Sequence, residues 1–264
     1  MFTIDKYVLV ESLDQAYELN KNRRNVIIGG MLWLKMGRKR IGTAIDLSSL
    51  GLNLIEEDDD SFKIGCMCTL RDIEVNMGLN NYFNYMISKS VEHIVGVQMR
   101  NMATIGGSIY SRFGFSDILT ILLSLNSYVE LYKGGIVSLN EYVRMPLDND
   151  ILVRIIIKKD GRNVCYSSHR KSSADLPVLT CAVSNLGNQW YIVLGAMPRK
   201  AKLTQFNLSQ NPEKEEIDSI ISQIIDSSSF GTNYRGSEKY RQILADVLIR
   251  RNIGEIINGG NYAN

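Results

Sequence analysis

The sequence is poor in the side chains that bind metals or form disulfides. It has only two histidines, His93 and His169, and two histidines without an acidic cluster beside them exclude most metal chemistry. Its four cysteines are too few for a disulfide framework in a chain of 264 residues, and no pair has the spacing of a zinc or iron–sulfur site. We therefore expect no metal site, and we expect reduced, mostly buried thiols at Cys66, Cys68, Cys165 and Cys181.

The sequence also lacks a charge imbalance and a long apolar run. The 30 basic and 28 acidic residues give a net charge of +2, which leaves no basic footprint for nucleic acid. No apolar run approaches the roughly 20 residues that a membrane-spanning helix needs. Residues 1–6 lack the basic and apolar segments of a secretory signal. We expect a cytoplasmic protein with neither a nucleic-acid nor a membrane partner.

The most informative stretch that is present is 100–109, which contains the pair Gly106-Gly107. Two adjacent residues without Cβ atoms let the backbone bend tightly and approach another group closely. Thr104 and Ser108 flank the pair with hydroxyl groups, and the N–H groups freed by such a bend can hold phosphate oxygens. The alternative is a structural hairpin or bulge between two strands, which is typical of an isolated glycine pair.

A second glycine pair, Gly29-Gly30, follows a buried strand predicted over Val26–Ile28. A short helix is expected to begin directly afterwards, at Met31. A strand, a glycine pair and a helix N-terminus together form a recurrent anion site, because the N–H donors and the helix dipole point the same way. The second pair therefore strengthens the functional interpretation of the first.

Hydrophobic periodicity and capping residues predict the remaining elements. Strands are expected at 43–47, 62–66 and 151–157, and as hairpins over 128–139 and 177–194. Helices are expected at 12–21, from 69 onward, and at 82–94, 118–125, 213–226 and 237–257. The acidic run at 56–60 is expected to be an exposed turn.

These residues resemble the FAD-binding subunit of molybdenum-containing hydroxylases. The most specific part is Arg-Asn-Met-Ala-Thr-Ile-Gly-Gly-Ser at 100–108, and the resemblance ends with Tyr-Arg-Gly-Ser-Glu-Lys-Tyr-Arg at 234–241. It covers essentially the whole chain. It implies an α+β fold: a two-subdomain FAD-binding fold of the PCMH/VAO type over 1–52 and 53–164, and a C-terminal α+β domain of the CO dehydrogenase flavoprotein type over 165–264.

The resemblance implies FAD as the cofactor, held between the first two parts. The segment 26–33 would contact the diphosphate through backbone N–H groups, since Met31 and Leu32 replace the small polar residues common in the family. The segment 103–108 would be the second diphosphate-side loop, and Asp117 would bond ribityl or adenosine hydroxyls unless it only caps a helix. A lysine common in the family is replaced by Ser167, so Arg170 and Lys171 are candidate cations near the flavin. The expected cofactor-binding residues are Val26, Ile27, Ile28, Gly29, Gly30, Met31, Leu32, Trp33, Ile94, Ala103, Thr104, Ile105, Gly106, Gly107, Ser108, Asp117, Leu152 and Lys171.

The implied function is that of an oxidoreductase flavoprotein subunit that passes electrons from [2Fe-2S] clusters to NAD or another acceptor. No nucleophile–base or acid–base pair stands out, so no catalytic residue is expected in this chain. The implied partners are a [2Fe-2S] small subunit and a molybdopterin large subunit, which hydroxylates the substrate. The 234–241 segment most resembles flavin subunits associated with xanthine or hypoxanthine hydroxylation. Cys66 and Cys68, two apart on a predicted strand, suggest an apolar face where electrons enter from another protein.

Two other functions stay open from the residues alone. A self-contained flavin reductase of the same fold superfamily, such as an enolpyruvyl-sugar reductase, needs a Ser or Cys proton donor with a Glu partner, and no such pair stands out. A flavin-free assembly subunit is the other alternative, because the first glycine segment departs from the family pattern. A yellow colour on purification would exclude the assembly subunit. NADH–dye activity without substrate hydroxylation would favour a subunit over a complete enzyme.

Overall fold

The structure is a computed structural model that describes residues 2–197 and 200–259. Its strands in chain order are β1 (Thr3–Leu9), β2 (Val26–Ile28), β3 (Arg40–Asp46), β4 (Ile55–Glu57), β5 (Ser61–Gly65), β6 (Ser127–Leu131), β7 (Gly135–Ser138), β8 (Leu152–Lys158), β9 (Asn163–His169), β10 (Leu179–Leu186), β11 (Gln189–Gly195) and β12 (Lys202–Asn207). Its helices are α1 (Leu13–Asn20), α2 (Leu32–Met36), α3 (Leu70–Val75), α4 (Met77–Tyr82), α5 (Met86–Val91), α6 (Val97–Arg100), α7 (Ile105–Tyr110), α8 (Asp117–Ser124), α9 (Leu139–Tyr142), α10 (Lys214–Asp226) and α11 (Glu238–Ile257), with a 3-10 turn at Ser48–Leu50. None of the helices in these two ranges is long and apolar enough to cross a membrane.

The first of two compact units comprises the described residues up to Ile73 together with Gly96–Ser111 and Ser127–Ile157. It contains a three-stranded parallel sheet in the order β1-β3-β2 and a five-stranded sheet in the order β4-β5-β8-β6-β7. β2 is an edge strand, and its last residue, Ile28, runs directly into Gly29. Ligands of open α/β sheets bind beyond the carboxyl ends of the parallel strands, and the first glycine pair occupies such an end.

The second unit comprises Glu74–Val95, Arg112–Asn126 and the described residues from Lys158 onward. Its antiparallel sheet has the order β12-β11-β10-β9. Alternate residues of β10 lie on opposite faces of this sheet. Cys181 and Val183 belong to the core formed with α10 and α11. Thr180, on the other face, lies 3.0 Å from the hydroxyl of Thr120 in α8. The expected division of the chain at 52 and 164 stays a prediction.

The structure corrects two expectations about local structure. The single helix predicted over 82–94 is wrong, because Asn84 and Tyr85 adopt φ angles of 47° and 60° between α4 and α5. Left-handed residues end a helical hydrogen-bond series. The acidic run is also only partly a turn, since Glu56 and Glu57 belong to β4 and pair with β5.

Candidate cofactor site

The first glycine pair packs tightly against the segment that precedes α7. A Cβ atom on Gly30 would overlap the backbone carbonyl of Met102. A Cβ on Gly29 would lie 2.5 Å from the hydroxyl oxygen of Thr104. Real Cβ atoms do not approach other atoms so closely, so both positions require glycine. The two glycine pairs, 75 residues apart in the sequence, are therefore neighbours in the first unit.

The second glycine pair lies in the first turn of α7, which corrects both sequence interpretations, a strand hairpin and an open loop. Thr104 is the N-cap residue, and its side-chain oxygen accepts a 3.2 Å hydrogen bond from the N–H of Gly107. The N–H of Gly106 donates to the carbonyl of Cys66 at 2.9 Å, and the N–H of Ile105 donates to Cys68 at 2.9 Å. The N–H groups of Ile105, Gly106 and Gly107, which were expected to serve phosphate, are thus already bonded within the protein.

The two glycines of this second pair have different surroundings. A Cβ on Gly106 would lie 2.5 Å from the carbonyl oxygen of Cys66, so this glycine permits a close backbone contact. A Cβ on Gly107 would have only the Thr104 hydroxyl nearby, at 3.2 Å. Gly106 is required by packing, whereas the space beside Gly107 is bounded by one small hydroxyl group.

The free backbone donors lie at the first glycine pair instead. Within the described residues, no acceptor bonds the N–H groups of Gly30, Met31 and Leu32. Met31 has a left-handed φ of 56° and precedes α2 without a side-chain cap. Consecutive N–H groups at a turn into a helix form a concave donor set that suits phosphate oxygens. The segment therefore supplies backbone donors, as expected from a sequence without polar side chains at Met31 and Leu32.

A cavity of about 340 Å³ runs beside β2 in the first unit. Its volume lies within the range of natural ligand sites. Its apolar walls come from Val26, Ile28, Leu47 and the chain around Ile151, and its polar lining includes Tyr110. The whole lining is formed by Asn20, Arg23, Asn25, Val26, Ile27, Ile28, Gly29, Lys39, Leu47, Cys66, Met67, Thr104, Gly106, Gly107, Tyr110, Asn149, Asp150, Ile151 and Leu152.

Some of the cofactor-binding residues expected from the sequence line the cavity, and others do not. The expected residues that line it are Val26, Ile27, Ile28, Gly29, Thr104, Gly106, Gly107 and Leu152. Other expected residues of the first unit are absent from its lining, namely Gly30, Met31, Leu32, Trp33, Ala103, Ile105 and Ser108. Ile105 is fully buried in the core. Ile94, Asp117 and Lys171 belong to the second unit.

Sequence reasoning missed the basic and amide side chains of the cavity. Arg23 and Lys39 precede β2 and β3, and Asn20 donates from its amide to the carbonyl of Asn149 at 2.8 Å. From the sequence alone, the basic run at 38–40 is typical of a solvated turn between two elements. A usable signal existed, since Arg23 stands three residues before the strand that leads into the first glycine pair.

Asp117 is buried, with 4 % of its surface exposed, and it is bonded inside the second unit. It forms an ion pair with Arg170, and the Tyr166 hydroxyl donates to it at 2.5 Å. Burial raises the pKa of the Asp117 carboxyl, and the Arg170 charge and these hydrogen bonds oppose that shift. Ser116, not Asp117, is the side-chain cap of α8. The expected bond of Asp117 to FAD hydroxyls stays a prediction.

The candidate cation of the second unit, Lys171, is also engaged. Its ammonium group donates to the backbone carbonyl of Tyr234 at 2.8 Å. Arg170, the neighbouring cation, is held by Asp117 and donates to the carbonyl of Asp175 at 2.7 Å. The role of Lys171 toward a flavin stays a prediction.

The four cysteines are free and buried, as expected. Burial raises the pKa of Cys66 to about 12 and that of Cys68 to about 11. Both residues follow β5 in a turn, where their backbone carbonyls bond to the first turn of α7. The expectation that Cys66 and Cys68 share one face of a strand is therefore wrong, because β5 ends at Gly65. Across the described ranges, no group of His, Cys, Asp and Glu is arranged to hold a metal ion.

The fold and the cavity together define a nucleotide-cofactor protein. The two glycine pairs meet at Thr104, and the free N–H groups of Gly30, Met31 and Leu32 fit a dinucleotide diphosphate. The cavity beside β2 has room for part of such a cofactor. Residues 2–159 match the family model described as FAD binding domain in molybdopterin dehydrogenase. The chain belongs to this family.

The chain is similar to curated proteins and to solved structures over nearly its whole length. The chain is 26 % identical to uncharacterized protein YgfM of Escherichia coli K12, over 93 % of this chain and 94 % of that protein. It is 25 % identical to the nicotine 6-hydroxylase medium subunit of Paenarthrobacter nicotinovorans, over 95 % and 96 %. Its fold is similar to that of reconstituted CO dehydrogenase from Oligotropha carboxidovorans, with a TM-score of 0.84, 18 % identity and coverage of 97 % and 98 %.

These comparisons confirm several expectations. The fold class is confirmed by the similarity to CO dehydrogenase flavoprotein chains. FAD as the cofactor and an oxidoreductase flavoprotein as the class of protein are confirmed by the family. The finer expectations, a purine substrate and NAD as acceptor, stay predictions.

Proposed function

We propose that this chain is the FAD-binding electron-transfer subunit of a molybdenum hydroxylase complex. The observation that carries the proposal is the meeting of the two glycine pairs at Thr104 beside the cavity, inside the part of the chain that matches the family. A bound FAD accepts electrons singly and passes them on as a pair. The protein therefore needs to bind and position the cofactor, and it needs no acid–base pair of its own.

The residues of the first unit suit this binding role. The N–H groups of Gly30, Met31 and Leu32 would hold the diphosphate, because they have no acceptor among the described residues. Gly29 and Gly107 would bring the two glycine segments together around Thr104, and both glycines line the cavity. Charge-assisted bonds from backbone N–H groups to phosphate contribute about 1.5–3 kcal/mol each. A few such bonds suffice for stable non-covalent binding.

The proposal includes the partners and the acceptor. A [2Fe-2S] small subunit would deliver electrons, a molybdopterin large subunit would hydroxylate a substrate such as a purine, and NAD would accept the electrons. Two relatives are named a medium subunit and a medium chain, and both align over nearly their whole length, which supports a subunit role. The purine substrate rests only on the resemblance of the 234–241 segment. The cytoplasmic location also stays a prediction.

The experiment is purification of the untagged chain from its native source, followed by acid release of flavin. We expect one FAD per chain, a [2Fe-2S] protein and a molybdopterin protein among the co-purifying chains, and NADH–dye activity. Release of FMN alone would contradict the diphosphate roles of both glycine segments. Oxidation of a purine with NAD by the isolated chain would contradict the division of labour among subunits.

A further inference from the structure

Two pairs of neighbouring basic residues stand at the amino ends of adjacent parallel strands. Arg23 and Arg24 precede β2, while Lys39 and Arg40 lie at the start of β3. Asp5 of β1 binds the second member of each pair: its carboxylate lies 3.3 Å from Nη2 of Arg24 and 3.2 Å from Nε of Arg40. One carboxylate thus compensates the two arginines on the β1 side.

The first member of each pair has a different environment. Arg23 and Lys39 line the cavity, whereas Arg24 and Arg40 do not. Within the described residues, neither the guanidinium group of Arg23 nor the ammonium group of Lys39 has a hydrogen-bond or ion-pair partner. Both are exposed, so each side chain is able to move to meet a ligand. Arg23 and Lys39 are therefore cations at the cavity whose charge no carboxylate compensates.

The one carboxylate in the described cavity lining does not compensate them. Asp150 accepts hydrogen bonds from the backbone N–H groups of Lys133, Gly134 and Ile151, with a shortest distance of 2.7 Å. It makes no ion pair with either cation. Two cations against one carboxylate leave the lining with a net charge of +1. The cavity favours an anionic ligand.

We infer that Arg23 and Lys39 bind the adenosine diphosphate half of FAD in this cavity. The inference rests on the proposed function and adds residues that the glycine motifs do not include. A lysine attracts phosphate as a point charge, and a guanidinium group binds phosphate oxygens or stacks on a purine plane. The apolar walls at Val26 and Ile28 suit the purine.

The test is a titration of apo-protein with ADP by calorimetry at low salt. The variants are Arg23→Met, Lys39→Met and the double variant, and the controls are Arg24→Met and Arg40→Met. Each control removes one positive charge from the neighbouring residue, so long-range electrostatic effects are matched. Exposed ion pairs contribute little, so we expect about threefold weaker ADP binding for each single variant and about tenfold for the double variant. The controls should stay within about twofold, and salt should reduce the difference.

Equal ADP affinity in the cavity variants and their controls would overturn the inference. Thermal melts of the apo-proteins verify folding, and we expect no loss because Arg23 and Lys39 make no described contact. Titration with FAD separates the two proposals. A wild-type chain that binds ADP through Arg23 and Lys39 but does not bind FAD would refute the proposed function alone. Competition by adenosine shows whether the cations act on the phosphates or on the ring.

Discussion

The α-carbon of Gly30 lies against the backbone carbonyl of Met102, in the segment that leads to the second glycine pair. This contact joins the two motifs that the sequence presents as separate. Because the neighbour is backbone and not a flexible side chain, a Cβ atom there cannot be accommodated by a rotamer change. Gly30 is therefore required for packing, and its N–H group is also a candidate hydrogen-bond donor to phosphate.

Gly30→Ala should destabilise the apo-protein. Forcing a methyl group into a packed backbone contact costs about 1–3 kcal/mol, and we expect a loss toward the upper end of this range. The measurement is urea unfolding followed by circular dichroism. The control is Gly254→Ala in α11, where a Cβ would meet nothing within 4 Å. That variant should gain up to about 1 kcal/mol from helix propensity, and a similar loss in both variants would contradict the packing role.

Gly107→Val should weaken FAD binding while leaving the fold intact. The new side chain has only the Thr104 hydroxyl nearby within the protein, but it stands in the cavity lining. A branched side chain that takes space from the cofactor costs about 1–3 kcal/mol in steric strain, which predicts about a tenfold weaker affinity. Flavin fluorescence titration measures it, with thermal melts alongside. Gly254→Val is the matched helical control, and equal FAD affinity in both variants would make Gly107 a structural residue only.

The thiols of Cys66 and Cys68 should be unreactive in the native protein at pH 8. Their pKa values, raised by burial to about 12 and about 11, leave about one thiolate in ten thousand and one in a thousand at this pH. Ellman's reagent should therefore modify neither thiol within minutes, whereas all four cysteines should react in urea. Reactivity should rise with pH. Rapid modification of two thiols in the native state would show that this turn opens.

Val95→Gly should stabilise the protein. Val95 is exposed and has a φ of 52°, and the left-handed conformation costs a β-branched residue about 1–2 kcal/mol. Glycine adopts this conformation without strain, but it loses more backbone entropy on folding than valine does. We therefore expect a net gain of about 0.5–1 kcal/mol in unfolding free energy. Val97→Gly in α6 is the control and should lose about 0.5–1 kcal/mol. Urea unfolding of both variants measures the difference, and a loss in Val95→Gly would show that its side chain packs usefully.

The sequence predicts elements well where the pattern is local. β2, its glycine pair and α2 follow from an apolar run and two residues without Cβ atoms. α8 follows from a mostly apolar stretch, and all its residues are buried. β1 was not predicted because nearly all its residues are exposed, so no hydrophobic alternation exists to detect. The break between α4 and α5 was missed because Asn84 and Tyr85 carry no glycine or proline signal.

The site is predictable only in part, for a similar reason. Gly29 and Gly106 stand out in the sequence because a glycine pair indicates a place where another group comes close to the backbone. The contacts that require them join Thr104 and Cys66 across 75 and 40 residues, and no local pattern reveals these partners. The distinction between Arg23 and Arg24 likewise depends on Asp5, which lies on another strand. The sequence therefore indicates which residues are candidates for the site, but it does not show which residues contact each other.

Asp117 and Arg170 form a buried ion pair in the second unit. Both side chains are almost completely buried, and the Tyr166 hydroxyl donates to the same carboxylate oxygen. Removing one member of a buried ion pair leaves an uncompensated charge and costs about 3–5 kcal/mol. The structure therefore indicates that Asp117 fixes Arg170 at the end of β9, whatever it contributes to the cofactor.

Asp117→Leu should lose about 3–5 kcal/mol of unfolding free energy, and Arg170→Met should lose a similar amount, since each leaves its partner charged and buried. The double variant should lose much less than the sum of the two, because it buries no charge. A coupling energy of about 2 kcal/mol or more, measured by urea unfolding of all four apo-proteins, is the expected result. Additive losses would mean that the two groups act independently. FAD titration of the double variant then isolates the cofactor role, since a large affinity loss without a stability loss would support a direct bond from Asp117 to FAD hydroxyls.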